Sequence, residues 1–276
     1  MCRTNSPAVL FVLGGFLLNA VPAAAQEADL DWSEEAELLG VNALLGGVSA
    51  GLAAAIRGDS FVRAFLDGAG GGGLAYFGKR VASRPDGGAG LLGRQIASFG
   101  SSVVGNVVAG RGRLDRIALA VGPVRAYVGR SVPGVEWRLD VPAFGFAAVA
   151  LLQGKEVDLS ESFSSGVVVI RDESEKAVPG TIFYIPFASA ERQAYTLSHE
   201  RVHVLQYDQS FLFWGGPLEA WLAREIPSAR GVLQHFEFNL PVLATAAGLG
   251  FYVWTEHDEQ PWEHEAMYLG RTRRWD

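Results

Sequence analysis

The segment YTLSHERVHVLQYDQ, residues 195–209, contains two histidines four positions apart, with an acid directly after the first. Residues four apart lie on the same face of an α-helix, so His199 and His203 could direct both imidazoles at one cation. Glu200 would lie about 100° around that helix, beside the cation rather than on it. There it could take a proton from a water that the metal has made acidic. The spacing therefore predicts a zinc site with an adjacent general base.

A catalytic zinc usually has three protein ligands and one open position, so this segment needs a partner elsewhere in the chain. The acidic candidates that follow it are Glu219, Glu225, Glu237, Glu256, Glu263 and Glu265. The other histidines are interpreted as structural or surface residues: His235, His257 and His264. The competing interpretation is an ordinary helix that carries the two histidines and holds no metal.

The H-E-x-x-H motif, followed later by the segment PWEHEAM at residues 261–267, resembles the pair of motifs of the gluzincin type of zinc metallopeptidase. In that type a second helix carries a glutamate ligand in the pattern E-x-x-A. The resemblance implies Glu263 as third ligand, with Glu265 as the fallback, and it covers about residues 180–270. The metzincin extension is absent, because Gln206 and Gln209 occupy the positions that it needs.

The segments that would position this site differ in residue composition and in hydrophobic pattern along the chain. Residues 26–110 are rich in Gly and Ala and contain helical pieces joined by the segments GAGGGG and RPDGGAG, which are typical of loops. From about 111 to 188, β-branched and aromatic runs predict short strands, with a turn at Gly122–Pro123. From about 189 to 270 the pattern is helical again, and Ser189 is the expected N-cap. The predicted class is α+β: a Gly/Ala-rich helical N-terminal half, central short strands, and zincin-like C-terminal helices.

The first 25 residues predict a secretory signal peptide. Arg3 supplies a positive start, an apolar run of about 14 residues follows, and Ala23 to Ala25 offer a cleavage site before Gln26. The alternative is an uncleaved membrane anchor, although a span needs about 20 residues. The only cysteine, Cys2, would be lost with the signal, so no disulfide is expected. These features favour a bacterial protein that is periplasmic or extracellular.

Residues 38–56 carry no charge and include a G-x-x-x-G pattern from Gly47 to Gly51. One interpretation is a membrane span or a membrane-associated helix. The other, which we favour, is a hairpin of closely packed helices whose small residues bring the backbones together. The formal net charge of −7 and the lack of a Lys/Arg cluster argue against nucleic-acid binding.

The sequence thus predicts an exported zinc-dependent metallopeptidase acting on a peptide or protein substrate. In it His199, His203 and Glu263 hold zinc and Glu200 is the general base. The alternative function is a non-enzymatic bacterial envelope protein, with a membrane-associated Gly-rich half and a structural or vestigial metal site.

Overall fold

The computed structural model describes residues 32–84, 88–171, 190–239 and 261–270. The chain divides into two compact units, Met1–Glu37 and Leu38–Asp276, and only residues 32–37 of the first are described. Several predictions therefore lie outside the described residues: the signal peptide, the Ser189 cap and the part of the predicted strand region between 172 and 188. The described residues are mostly helical with a small mixed sheet, which confirms the α+β class.

Three long helices occupy the Gly/Ala-rich region: α1 (Trp32–Ile56), α2 (Phe61–Ala82) and α3 (Ala89–Val108). The Ser60 hydroxyl caps α2 by accepting a hydrogen bond from the Arg63 backbone N–H. The predicted GAGGGG loop is wrong, because α2 runs through residues 68–73 without a break. Tertiary packing overrides the poor helix propensity of glycine at these positions.

Glycines let these helices approach until their backbones touch. A Cβ added to Gly68 would lie 2.3 Å from the carbonyl oxygen of Gly46 on α1. A Cβ added to Gly78 would lie 2.2 Å from the backbone nitrogen of Ala97 on α3. The expected hairpin of closely packed helices is therefore present. Of the described helices, α1 is the one long and apolar enough to cross a membrane. Because the core helices of soluble proteins can have the same length and composition, the membrane interpretation stays a prediction.

A four-stranded sheet follows, in the order β1 (Ile117–Val121), β2 (Val124–Val128), β3 (Glu136–Asp140) and β6 (Phe236–Glu237). The first three strands pair antiparallel, and β3 pairs parallel with β6. The predicted turn between β1 and β2 is confirmed, with Gly122 at a φ of 55° that favours glycine. The sheet thus joins the middle of the chain to the region after the histidine motif.

Residues 141–152 form a helix, α4 (Val141–Leu152), where the sequence predicted continued strand. The Asp140 carboxylate caps it by accepting a hydrogen bond from the Ala143 backbone N–H at 2.9 Å, and Pro142 fits its first turn. Next come β4 (Glu156–Val157), α5 (Leu159–Ser165) and β5 (Ile170–Arg171), of which β4 and β5 pair antiparallel.

The histidine motif lies on α6 (Ala190–Ser210), which continues into a π-helix at Phe211–Gly215. The last elements are α7 (Gly216–Glu225), α8 (Pro227–Leu233), β6 and α9 (Pro261–Gly270). Three apolar clusters surround α6: Val202 packs with α1, α2 and α9, Leu205 with α2 and α3, and Val204 with α4. Because apolar contacts surround α6, its polar side chains need buried partners.

Candidate metal centre

Helix α9 packs against α6 through small residues. Ala266 is fully buried against Val202, and a Cβ added to Gly270 would lie 2.8 Å from the Cα of His199. Glu263, Ala266 and Gly270 follow the i, i+3, i+7 spacing of one helix face. Since the two small residues allow close approach, the Glu263 side chain is long enough to reach the histidines of α6. The alanine of the E-x-x-A pattern therefore lies in the contact between α9 and α6.

The structure brings His199, His203 and Glu263 together as a cluster that could hold a metal ion. The two Nε2 atoms are 3.0 Å apart, and Glu263 Oε2 lies 3.2 Å from His203 Nε2 and 3.3 Å from His199 Nε2. A tetrahedral zinc with bonds of about 2.0–2.1 Å has ligand atoms about 3.3–3.4 Å apart. The observed separations lie within about 0.4 Å of the edges of such a tetrahedron, so this donor set fits zinc.

The cluster is nearly closed to solvent at His203 and Glu263 and partly open at His199. Burial alone lowers the pKa of His203, but the hydrogen bond to Glu263 and its charge outweigh burial and raise the pKa above its ordinary value. The charge of Glu200 and the hydrogen bond with Gln206 act in the same direction. The site therefore has an excess of negative potential, which also favours a cation.

Glu200 is buried next to His199 on α6, with 4% of its surface exposed. Its carboxylate is near enough to His203 to raise the pKa of that imidazole. Glu200, the predicted general base, is therefore close enough to the cluster for its charge to act on His203.

Glu265, the alternative third ligand, is engaged elsewhere. Its Oε1 accepts a hydrogen bond from Asn42 Nδ2 at 2.7 Å, and its Oε2 accepts from Lys79 Nζ at 2.7 Å and from Gln206 Nε2 at 2.8 Å. Of the two acids that the sequence left open, Glu263 is the one at the histidines. Burial raises the pKa of Glu265, but the Lys79 charge and these hydrogen bonds outweigh burial and hold the pKa below its usual value.

The remaining acidic candidates are also used elsewhere. Glu219 accepts a hydrogen bond from the Phe238 backbone N–H, Glu225 pairs with Arg224, and Glu237 pairs with Arg125. His235 and His264 are exposed, as expected for surface residues, while Glu256 and His257 lie outside the described residues.

Lys79 and Asn42 belong to this network, and the sequence analysis predicted a role for neither. Lys79 is 1% exposed, and its Nζ donates to Asn42 Oδ1 at 2.7 Å, Gln209 Oε1 at 2.9 Å and Glu265 Oε2. Burial lowers the pKa of Lys79, and Glu265 opposes that effect. Three acceptors around one nitrogen require three N–H donors, so the side chain is the charged ammonium. The only sequence signal was the unusual presence of a lysine in a Gly-rich apolar segment.

A second buried network anchors the other end of α6 to the sheet. Arg125 on β2 forms ion pairs with Asp140, Asp208 and Glu237, of which the Asp140 pair measures 3.0 Å. Arg94 on α3 also pairs with Asp208, at 2.9 Å. These ion pairs, which sequence reasoning did not predict, join α6 to α3 and to the sheet strands β2, β3 and β6.

Comparison with protein-family models, with curated proteins and with solved structures found no match for this chain.

Proposed function

We propose that this protein is an exported zinc-dependent metallopeptidase. The observation that carries the proposal is the cluster of His199, His203 and Glu263, whose ligand atoms are separated by tetrahedral distances, with Glu200 buried beside it. Within the described residues the cluster contains three ligands, the number typical of a catalytic zinc; structural sites usually have four, often thiolates. The resemblance to the gluzincin type supports the same assignment.

In the proposed reaction the chain's own groups handle the proton. A zinc ion held by the cluster would polarise the attacking water and the scissile carbonyl group. Glu200 takes a proton as the water oxygen bonds to the carbonyl carbon, and it delivers that proton to the amine as the C–N bond breaks. The products are a carboxylic acid and an amine. Peptide or protein is the proposed substrate class, because this ligand set usually serves peptide hydrolysis.

The first test measures the metal content of the purified mature protein. We expect one zinc per chain, and Glu263→Ala should remove it, because two histidines alone bind zinc weakly. His264→Ala is the matched control, since this exposed histidine is the next residue on the same helix and should leave the zinc in place. Zinc that is absent from the unaltered protein, or unaffected by Glu263→Ala, would contradict the ligand assignment.

The second test separates the base from the ligands. Glu200→Gln should keep the bound zinc and lower kcat on a mixture of fluorogenic peptides by about 10²–10⁴-fold, the usual contribution of a general base. An unchanged kcat would remove Glu200 from this role. Hydrolysis of esters or other amides by the unaltered protein, without peptide cleavage, would keep the mechanism but change the substrate class.

One observation favours the alternative, a non-enzymatic envelope protein with a membrane-associated Gly-rich half. Helix α1 exposes large apolar side chains, with Leu44 and Leu45 each 55% exposed and Ile56 87% exposed. Such a surface suits lipid or an apolar partner. The alternative predicts that the mature protein sediments with phospholipid vesicles and hydrolyses no peptide, whereas the peptidase proposal requires hydrolysis whether or not vesicles bind.

A further inference from the structure

The buried lysine of α2 determines the direction of the hydrogen bonds around it. An ammonium only donates, so the three oxygen atoms that face Lys79 Nζ must be acceptors. This orients the amide of Asn42, whose Nδ2 faces Glu265 Oε1 at 2.7 Å. It also orients the amide of Gln209, whose Nε2 donates to Asn42 Oδ1 at 3.1 Å. Every donor and acceptor in this group then has a consistent partner.

Glu265 in turn determines the orientation of the Gln206 amide. A carboxylate only accepts, so the amide nitrogen of Gln206 must face Glu265 Oε2, at 2.8 Å. The same nitrogen donates to the carbonyl oxygen of Trp262 at 2.9 Å. Gln206 Oε1 therefore faces His203 Nδ1, at 2.9 Å. Because this oxygen can only accept, Nδ1 must carry a proton.

We propose that the Lys79–Glu265 ion pair is a positioning device for the metal centre, which orients Gln206 so that His203 keeps a proton on Nδ1 and presents Nε2 to the metal. The inference rests on the proposed zinc site. A metal-binding histidine commonly donates its other N–H to a carboxylate, a backbone carbonyl or a water, and that partner sets the tautomer. Here the partner is an amide, which could rotate by 180°, and the ion pair behind it removes that freedom.

A purely structural role for the ion pair is the competing explanation, since Lys79 and Glu265 also join α2 to α9. Replacing a buried pair by neutral groups of similar size is often neutral for stability, whereas removing one partner leaves an uncompensated charge. The informative variant is therefore the double substitution Lys79→Met with Glu265→Gln. A positioning role and a structural role differ in what this variant does to His203.

The experiment measures zinc dissociation constants by competition with a chelator. Gln206→Met should weaken zinc binding about 10- to 100-fold, the usual effect of losing a partner of a metal-binding histidine. The Lys79→Met/Glu265→Gln variant should weaken it about tenfold, at the low end of that range, because Trp262 still holds the amide. Combining all three substitutions should be no worse than Gln206→Met alone, because the ion pair acts through Gln206. Effects that multiply instead would overturn the proposal.

Arg201→Met with Glu161→Gln is the matched control. This ion pair, at 2.7 Å, also anchors α6, but the hydrogen bonds of Arg201 go to Glu161 and to the carbonyl oxygens of Ala82 and Arg84, outside the network, so zinc affinity should not change. A second readout is solvent exchange of the His203 Nδ1 proton by NMR in the zinc-free protein. Exchange should be slow in the unaltered protein and at least about tenfold faster in the Gln206→Met and double variants, because a lost hydrogen bond of about 1.4 kcal/mol has that effect. Equal exchange rates would refute the inference even if the protein binds no zinc, whereas absent zinc with slow exchange would refute only the proposed function.

Discussion

Glu219 on α7 makes the stability of this protein depend on pH. Its side chain is 1% exposed, and Oε1 accepts a hydrogen bond from the Phe238 backbone N–H at 2.8 Å. The backbone N–H of Asn239 and the charge of Arg138 also favour the charged carboxylate. Burial raises the pKa of Glu219 to about 7; the Phe238 N–H opposes the rise and the charge of Glu237 adds to it. The fold therefore favours the protonated acid.

The sign and the size follow from the difference between the folded and unfolded pKa. A raised pKa contributes stability that is fully present below the ordinary value of 4.5 and is lost as the pH rises through about 7. At about 1.4 kcal/mol per pKa unit, the loss in free energy of unfolding amounts to at most about 3–4 kcal/mol. Glu219→Gln keeps the acceptor for Phe238 and cannot ionise. Between about pH 4.5 and pH 9 the free energy of unfolding of the variant should therefore rise, relative to that of the unaltered protein, by up to about 3–4 kcal/mol.

Urea unfolding followed by circular dichroism, at several pH values across that range, measures the difference. Glu225→Gln is the control, because Glu225 lies on the same helix with a side chain that is half exposed. Its effect should stay within about 0.5 kcal/mol at every pH. If the difference between Glu219→Gln and the unaltered protein is the same at pH 5 and pH 9, the carboxyl of Glu219 does not titrate in this range and the reasoning fails.

Three further predictions use the same unfolding assay. Gly78→Ala should lower the free energy of unfolding by about 1–3 kcal/mol or more, because the added Cβ would meet the backbone of Ala97. Gly70→Ala is the control: its Cβ would lie in open space on the same helix, so it should raise the free energy of unfolding by about 0.5–1 kcal/mol. Equal effects of the two substitutions would contradict the packing argument. Arg125→Met should cost about 3–5 kcal/mol, since Asp140 and Glu237 lose their ion pair and Asp208 keeps only Arg94, while the folded fraction still binds zinc. Zinc at 100 times its dissociation constant should stabilise the protein by about 2.7 kcal/mol, and Glu263→Ala should abolish this gain; a gain of equal size in that variant would mean that zinc binds elsewhere.

The parts of the fold that the sequence predicted depend on local patterns. His199 and His203 share a helix face because of their spacing. The Gly122 turn is equally local. Glu263 was implied by the gluzincin resemblance, whose E-x-x-A pattern includes the small residue Ala266 three positions later.

The wrong predictions concern segments where packing or capping overrides composition. Glycines at 68–73 are typical of a loop, yet they lie in α2 because neighbouring helices need their lack of side chains. Residues 141–152 have the apolar content of a strand, but the Asp140 cap and Pro142 begin a helix there. Neither outcome follows from propensity, because each depends on a partner or a cap that propensity does not include.

The buried ion pairs were beyond sequence reasoning for a different reason. Glu265 meets Lys79 across 186 positions and Asn42 across 223 positions of the chain. A single lysine or asparagine in an apolar helix does not indicate which distant residue it will contact. The sequence analysis named the three residues of the cluster that could hold a metal ion, and the groups behind them emerged only from the tertiary structure.

Glycines of α2 allow the helices to pack closely enough for the buried network behind the candidate metal centre to form. Asparagine is short, so Asn42 reaches Lys79 and Glu265 only if α1 lies very close to α2. Gly72 permits this, because a Cβ there would lie 2.1 Å from the Asn42 carbonyl oxygen. Gly78, next to Lys79, allows the same close approach between α2 and α3. Larger residues at either position would separate the helices and move Asn42 or Lys79 away from Glu265. The hydrogen-bond network behind the cluster of His199, His203 and Glu263 thus includes side chains from helices more than 100 residues earlier in the chain.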